Sequence, residues 1–138
     1  MRLYNVYGKL QSRNVTRFLI DWDAKSRSKI QFKVKNFLKK YWKNQIVYEE
    51  FPVYGTRMKV DILNATKKIA IEVQGSQHGQ FNKFFHGNSR QKYLNSIKRD
   101  VQKAEWLDQN EYTLIEIEEK EVKLLSKTYF SSKFNIAI

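Results

Sequence analysis

The chain contains no cysteine, which excludes both a disulfide framework and a thiolate zinc site. No apolar run approaches the roughly 18 residues of a membrane span. The opening residues, Met1 to Gly8, lack the apolar stretch of a signal peptide, so the chain reads as intracellular. One proline, Pro52, and five glycines leave few breaks, and there is no internal repeat or low-complexity linker. Acid is also scarce. Fourteen Asp and Glu stand against 26 Lys and Arg, for a net charge of +12 and a pI near 9.8. That imbalance points to a polyanion, with nucleic acid ahead of an anionic membrane surface. What is present, 41% hydrophobic and 14% aromatic residues in a chain of 138, suffices for one folded domain with a real core.

Periodicity divides the chain. Leu3 to Tyr7 and Val15 to Trp22 are short β-prone runs separated by Gly8 to Asn14, which predicts two strands and a turn. Ser26 or Ser28 can cap the next element. From Ile30 the apolar residues fall at 30, 34, 37, 38 and 41, one face of a helix, with Lys29, Lys33, Lys40 and Lys43 on the opposite face. The period then changes. Ile46 to Tyr54, Met58 to Leu63 and Lys68 to Gln74 read as strands, joined at Gly55-Thr56 and at Asn64-Ala65-Thr66. Residues 75–89 read as a loop. A second helix is expected from about Ser89 to Gln109, with Leu94, Ile97, Val101 and Ala104 facing inward. Tyr112 to Ile117 is a final core strand, followed by a short helix over Glu119 to Ser126 and a β-like tail from Phe134 to Ile138. The fold class is α/β: helix, a meander of three strands, a helical crossover, and a fourth strand.

Two acids stand out. Asp61 lies in the second strand of the meander and Glu72 in the third, eleven residues on. A short hairpin brings both to one end of the sheet. Alternation sends Glu72 and Gln74 to one side and Ile71 and Val73 to the other. The flanking Ile69-Ala70-Ile71 and Val73 mark a central strand, where an unpaired carboxylate is costly. With the Val73 carbonyl, Asp61 and Glu72 offer three hard oxygen ligands for Mg²⁺, with Mn²⁺ as a substitute. Such an ion acidifies a bound water and neutralises phosphate charge. The bland alternative is a pair of solvated surface acids.

Asp61 and Glu72-Val73-Gln74, with Ile71 to His78 and then Lys98 to Lys103, resemble the PD-(D/E)XK nuclease superfamily, in the branch of very-short-patch repair endonucleases and phage homing endonucleases. The resemblance covers about residues 28–118. It implies a restriction-endonuclease-like core (α-β-β-β-α-β, a mixed sheet flanked by helices) over 28–118, with an N-terminal β-hairpin arm (1–27) and a C-terminal extension (119–138). It further implies that Asp61 and Glu72 hold the metal and that Gln74 occupies the position usual for lysine. There are departures. Val60 stands where the motif has proline. Gln74 carries no charge, leaving it to orient water while Lys103 supplies the cation from the helix. Ser28 and Gln31 occupy the region where relatives carry a helical Glu, so Gln31 is at most an outer support.

Of Glu49 and Glu50, one must face the site; Glu50 is favoured as a third carboxylate, against a simple pairing with Arg57 or Lys59 across the hairpin. His78 is either a general base or phosphate contact, or a loop histidine bonded to backbone. His86, after Phe84-Phe85, reads as structural. Asp100 reads first as a helix partner of Lys103, second as an orienting group. Residues 24–48 hold eight Lys or Arg and no acid. Lys25, Arg27, Lys29, Lys33, Lys40 and Lys43 among them are expected to bind the backbone of double-stranded DNA.

The expected function is a metal-dependent DNA endonuclease of the free-standing phage homing type, cytoplasmic in its host, working as a homodimer or higher oligomer. The alternatives are a repair nickase for mismatched or branched DNA, and a non-catalytic nucleic-acid-binding module with a decayed site.

Overall fold

A computed structural model describes residues 1–75 and 88–138. Four strands form one mixed sheet in sequence order: β3 (Val47–Pro52), β4 (Lys59–Asn64), β5 (Ile69–Gln74) and β6 (Thr113–Glu118). The first three pair antiparallel, and β6 joins β5 in parallel. A parallel neighbour needs a crossover, and helix α2 (Asn88–Gln109) precedes β6 accordingly. Helix α1 (Lys29–Trp42) precedes the sheet and α3 (Lys127–Phe134) follows it, after a 3₁₀ segment at Glu119–Leu124. The expected core order of helix, three strands, helix and strand is what the chain adopts.

Alternation along the strands builds two apolar layers. Ile62, Ile71, Ile115 and Ile117 pack with Val34, Leu38 and Trp42 of α1 and Phe130 of α3. Their sequence neighbours Leu63 and Ala70 pack with Tyr48, Tyr54 and the α2 residues Trp106 and Leu107. Ser28 caps α1, its hydroxyl accepting from the Gln31 N–H at 3.1 Å.

Three expectations are corrected. The first concerns the N-terminus, where the strands are β1 (Arg2–Tyr4) and β2 (Leu10–Ser12). Val15 to Trp22, expected as a strand, instead curls through a 3₁₀ turn at Thr16–Phe18 and touches the sheet through a Leu19–Tyr48 bridge. The hairpin does not project as an arm. Leu3 is buried, the Tyr54 hydroxyl donates to the Met1 carbonyl at 2.7 Å, and the Trp106 indole donates to the Tyr4 carbonyl at 2.6 Å.

The second concerns α2, whose expected inward face is turned out: Leu94, Ile97 and Val101 are 41%, 40% and 51% exposed, and Ala104 is half-buried. Asp100 and Lys103 occupy the inner, half-buried side together with buried Leu107, because this stretch of helix lies over charged groups of the sheet. The third correction is that Phe134 ends a helix; residues 135–138 form no strand, and Asn135 closes α3 in the left-handed conformation at φ 56°.

Deleting residues 1–13 is expected to lower Tm by about 10 °C or more, or to abolish cooperative unfolding, because it strips cover from Tyr54 and Trp106. Thermal denaturation of the truncated and full chains decides; an unchanged Tm would show the hairpin to be an independent arm.

Candidate functional site

The sheet divides at its centre. β4 stays paired with β3 as far as Lys59 opposite Pro52. β5 stays paired with β6 as far as Gln74 opposite Glu118. Between β4 and β5 the ladder stops at Ile62 opposite Ile71. The next pair would be Asp61 and Glu72. Their backbone donors still need acceptors, and the two carboxylates provide them. The Asp61 N–H donates to Glu72 Oε2 at 2.9 Å, and the Val73 N–H donates to Asp61 Oδ2 at 2.8 Å. Each acid is thereby fixed by the opposite strand. Asp61 is 5% and Glu72 8% exposed.

On the other side of β4, Glu50 stands in register with Asp61, between the pairs Glu49–Ile62 and Phe51–Val60. Its φ of 53° puts a non-glycine residue in the left-handed region inside a strand. Such strain persists only where surrounding contacts hold it, and here they are visible. Gln31, fully buried in α1, donates from Nε2 to Glu50 Oε1 at 3.2 Å and to Glu49 Oε2 at 2.9 Å. Lys35 and the Ser26 hydroxyl complete the hold on Glu49 at 2.9 and 2.6 Å. Glu49 is therefore a structural anchor, and Glu50 is the one of the two that faces the site.

A cleft of about 450 Å³ gathers these groups. Four acids line it, Glu50, Asp61, Glu72 and Asp100, among five bases, Arg27, Arg57, Lys59, Arg99 and Lys103, together with Val73 and Gln74. Lys103 donates to Glu72 Oε1. The Arg27 guanidinium spans Asp61 Oδ1 at 3.4 Å and Glu50 Oε1 at 3.7 Å. Gln74 Oε1 is buried with no hydrogen-bond partner among the described residues. A buried acceptor left unmade costs about 1–3 kcal/mol, so its place in a charged cleft suits an added donor. Burial, followed by the charge of Glu72, pushes the Asp61 carboxyl up to about 7; the Val73 N–H and Arg27 pull the other way.

Asp61, Glu72, Val73, Gln74, Lys103, Glu50 and Arg27 thus meet in one cleft. Lys25, Lys29, Lys33, Lys40 and Lys43 do not line it; they are exposed on α1 and the segments flanking it. Two of the eight bases in residues 24–48 are otherwise engaged, Lys35 buried on Glu49 and Lys39 on Asp23 at 2.7 Å. His78 and His86 lie outside the described residues. Arg57, Lys59 and Arg99 were missed as site residues. Part of their signal was available: 59 and 61 share one parity of β4, and 99 precedes Lys103 by four on a helix.

The donors suit a hard divalent cation in kind: carboxylate oxygens in a cleft that otherwise holds them with Arg and Lys. Glu72 Oε1 and Oε2 accept from Lys103 and the Asp61 N–H, and Asp61 Oδ2 from the Val73 N–H, whereas Asp61 Oδ1 accepts from the exposed Arg27 and the Glu50 carboxylate is shared between Arg27 and Gln31 Nε2. Among the described residues no group of three or more His, Cys, Asp or Glu is placed to hold a metal by side chains alone.

No protein-family model matches the chain, and no solved structure matches it. It is similar to the uncharacterized protein 033L of Invertebrate iridescent virus 3, 35% identical over 66 residues, 48% of this chain. That match covers 34% of the viral protein, so the chain spans about a third of the length of the curated relative it matches.

Asp61 carries a pH prediction. The folded chain keeps a proton on this carboxyl that the unfolded chain, at 3.8, releases. The resulting preference for the fold is fully present below pH 4 and is lost as pH rises through about 7. Asp61→Asn keeps an acceptor for Val73 without the buried charge. It is expected to melt roughly 5 °C above the parent at pH 8, with the gap closing towards pH 4. Thermal melts across that range read it; a gap independent of pH would contradict the assignment.

Proposed function

We propose that this chain is a divalent-metal-dependent DNA endonuclease with a restriction-endonuclease-like core, of the PD-(D/E)XK type. The observation that carries the reading is the parting of β4 and β5 at Asp61 and Glu72, with both acids held by the opened strands in a cleft rimmed by bases. The topology agrees with such a core: a four-stranded mixed sheet, β3-β4-β5-β6, with α1 before it and α2 as the crossover.

In this reading Asp61 and Glu72, with the Val73 carbonyl and Glu50 as further oxygens, would hold Mg²⁺ or Mn²⁺. Once bound, the ion supplies an acidified water and charge neutralisation at the scissile phosphate. Gln74 Oε1 accepts from the attacking water and orients it. Lys103, already beside Glu72, supplies the cation that the motif usually takes from the strand. Arg57, Lys59 and Arg99 receive flanking phosphates. The exposed Lys25, Lys29, Lys33, Lys40 and Lys43 extend the basic surface along double-stranded DNA.

No helix among the described residues is long and apolar enough to cross a membrane. A free-standing, phage-type homing activity, a cytoplasmic setting and a homodimer or higher oligomer belong to the same proposal, the last because cutting both strands takes two sites. The second reading, a non-catalytic nucleic-acid-binding module, is favoured by one observation: Glu72 and Asp61 each already have a cationic partner.

Supercoiled plasmid separates the readings. Mg²⁺ or Mn²⁺ should give nicked and then linear product, and Asp61→Ala or Glu72→Ala should slow this by about a hundredfold or more while duplex affinity stays within about threefold. Nicking without linear product would favour the repair-nickase alternative. Cleavage by either variant at the parent rate would refute the site.

A further inference from the structure

We propose that Arg27 is a switchable phosphate ligand: it rests on Glu50 and Asp61 while no divalent ion is bound, and passes to the DNA backbone when an ion takes those carboxylates. The proposal rests on the metal-dependent reading of the same cleft and adds a substrate-contacting residue to it.

The two cation pairs in the cleft are built differently. Lys103 is 16% exposed and lies within hydrogen-bond reach of one oxygen of Glu72. Arg27 is 68% exposed, and its guanidinium is shared between two carboxylates at 3.4 and 3.7 Å. The first pair is a fixture; the second is a loose, solvent-screened contact worth little on its own. Its acceptors are also the accessible ones. Asp61 Oδ2 is taken by the Val73 N–H, whereas Asp61 Oδ1 and the Glu50 carboxylate face the guanidinium. A divalent cation drawn to these oxygens must displace Arg27.

The backbone around Arg27 is pinned. Lys39 holds Asp23 at 2.7 Å, Lys35 holds the Ala24 carbonyl at 2.9 Å, and the Ser26 hydroxyl donates to Glu49 at 2.6 Å. Ser28 then caps α1. Displacement therefore swings the side chain and leaves the loop where it is, so the guanidinium stays at the mouth of the cleft. Its planar fork suits phosphate as well as carboxylate.

The test reads DNA affinity rather than cleavage. A short DNA duplex is titrated at several KCl concentrations, in EDTA and in Ca²⁺, with parent, Arg27→Ala and Arg27→Lys proteins. Each phosphate contact contributes about 0.9 to the slope of log affinity against log salt. In Ca²⁺, Arg27→Ala should lose about one such contact, and Arg27→Lys should keep it. In EDTA the slope of Arg27→Ala should equal that of the parent, because the guanidinium is then engaged with Glu50 and Asp61. An equal loss in both conditions, or no loss in Ca²⁺, overturns the proposal. If the parent fails to cut plasmid yet the Ca²⁺-dependent loss is seen, the catalytic reading fails and the Arg27 switch stands. If the parent cuts and the loss is absent or unconditional, the switch alone falls. Arg27 is exposed, so both variants should melt within about 2 °C of the parent, and a matching Tm assigns any slope change to the DNA contact.

Discussion

Two hydrogen bonds from backbone to carboxylate determine the character of this site: Asp61 N–H to Glu72 and Val73 N–H to Asp61. They stand where the β4–β5 ladder would have continued. A sheet that opens in its interior leaves donors that must be met, and here the side chains at the opening meet them. This arrangement makes two nearly buried acids tolerable next to each other. It also spends one oxygen of each, so the directions in which the remaining oxygens point are set by backbone geometry. Glu72 turns its other oxygen to Lys103 on α2, and Asp61 turns its own to Arg27 ahead of α1. The strained Glu50 stands opposite Asp61 on β3, where Gln31 holds it.

The electrostatics follow from this scaffold. Two acids of like charge, buried and adjacent, raise the cost of ionising both, and the proton retained on Asp61 to about pH 7 expresses that cost. Arg27, Arg57, Lys59 and Arg99 are exposed along the cleft, whereas Asp61 and Glu72 are buried in it with Lys103 beside them. In a chain of net charge +12, this cleft concentrates four acids at one point among five bases. The buried Lys35–Glu49 pair is of another kind. It ties α1 to β3, and Lys35 also holds the Ala24 carbonyl of the loop that carries Arg27.

The central strands were legible because they are β-rich apolar runs and α1 because its apolar residues kept a period of 3.6, and the two acids were legible because they interrupted such a run. Alternation required only that one of Glu49 and Glu50 face the site, and the structure turns Glu50 there. Where periodicity met charge, it misled. In α2, Leu94, Ile97 and Val101 form a proper helical stripe, yet the helix turns Asp100 and Lys103 inward because the sheet beneath is acidic. Val15 to Trp22 has β-prone composition but only one bridge to pair with, so it curls into a turn. The acid-free basic run of residues 24–48 reads as one phosphate-binding surface, which hid the buried Lys35, whereas Gln31, expected as at most an outer support, does brace Glu49 and Glu50. The placement of Arg27 over the acids depends on a loop fastened by three tertiary contacts, and no spacing in the sequence encodes that.

The central claim is that Asp61, held by the opened strands, is part of a divalent-ion site. Titration of Mn²⁺ into the protein, with free ion followed by electron paramagnetic resonance, tests it without DNA or turnover. A carboxyl near 7 is mostly ionised at pH 8 and about one-tenth ionised at pH 6. The expected result is saturable Mn²⁺ binding at pH 8, roughly tenfold weaker at pH 6, and lost with Asp61→Asn at both. Absence of Mn²⁺ binding at pH 8, or binding indifferent to Asp61→Asn, would contradict it.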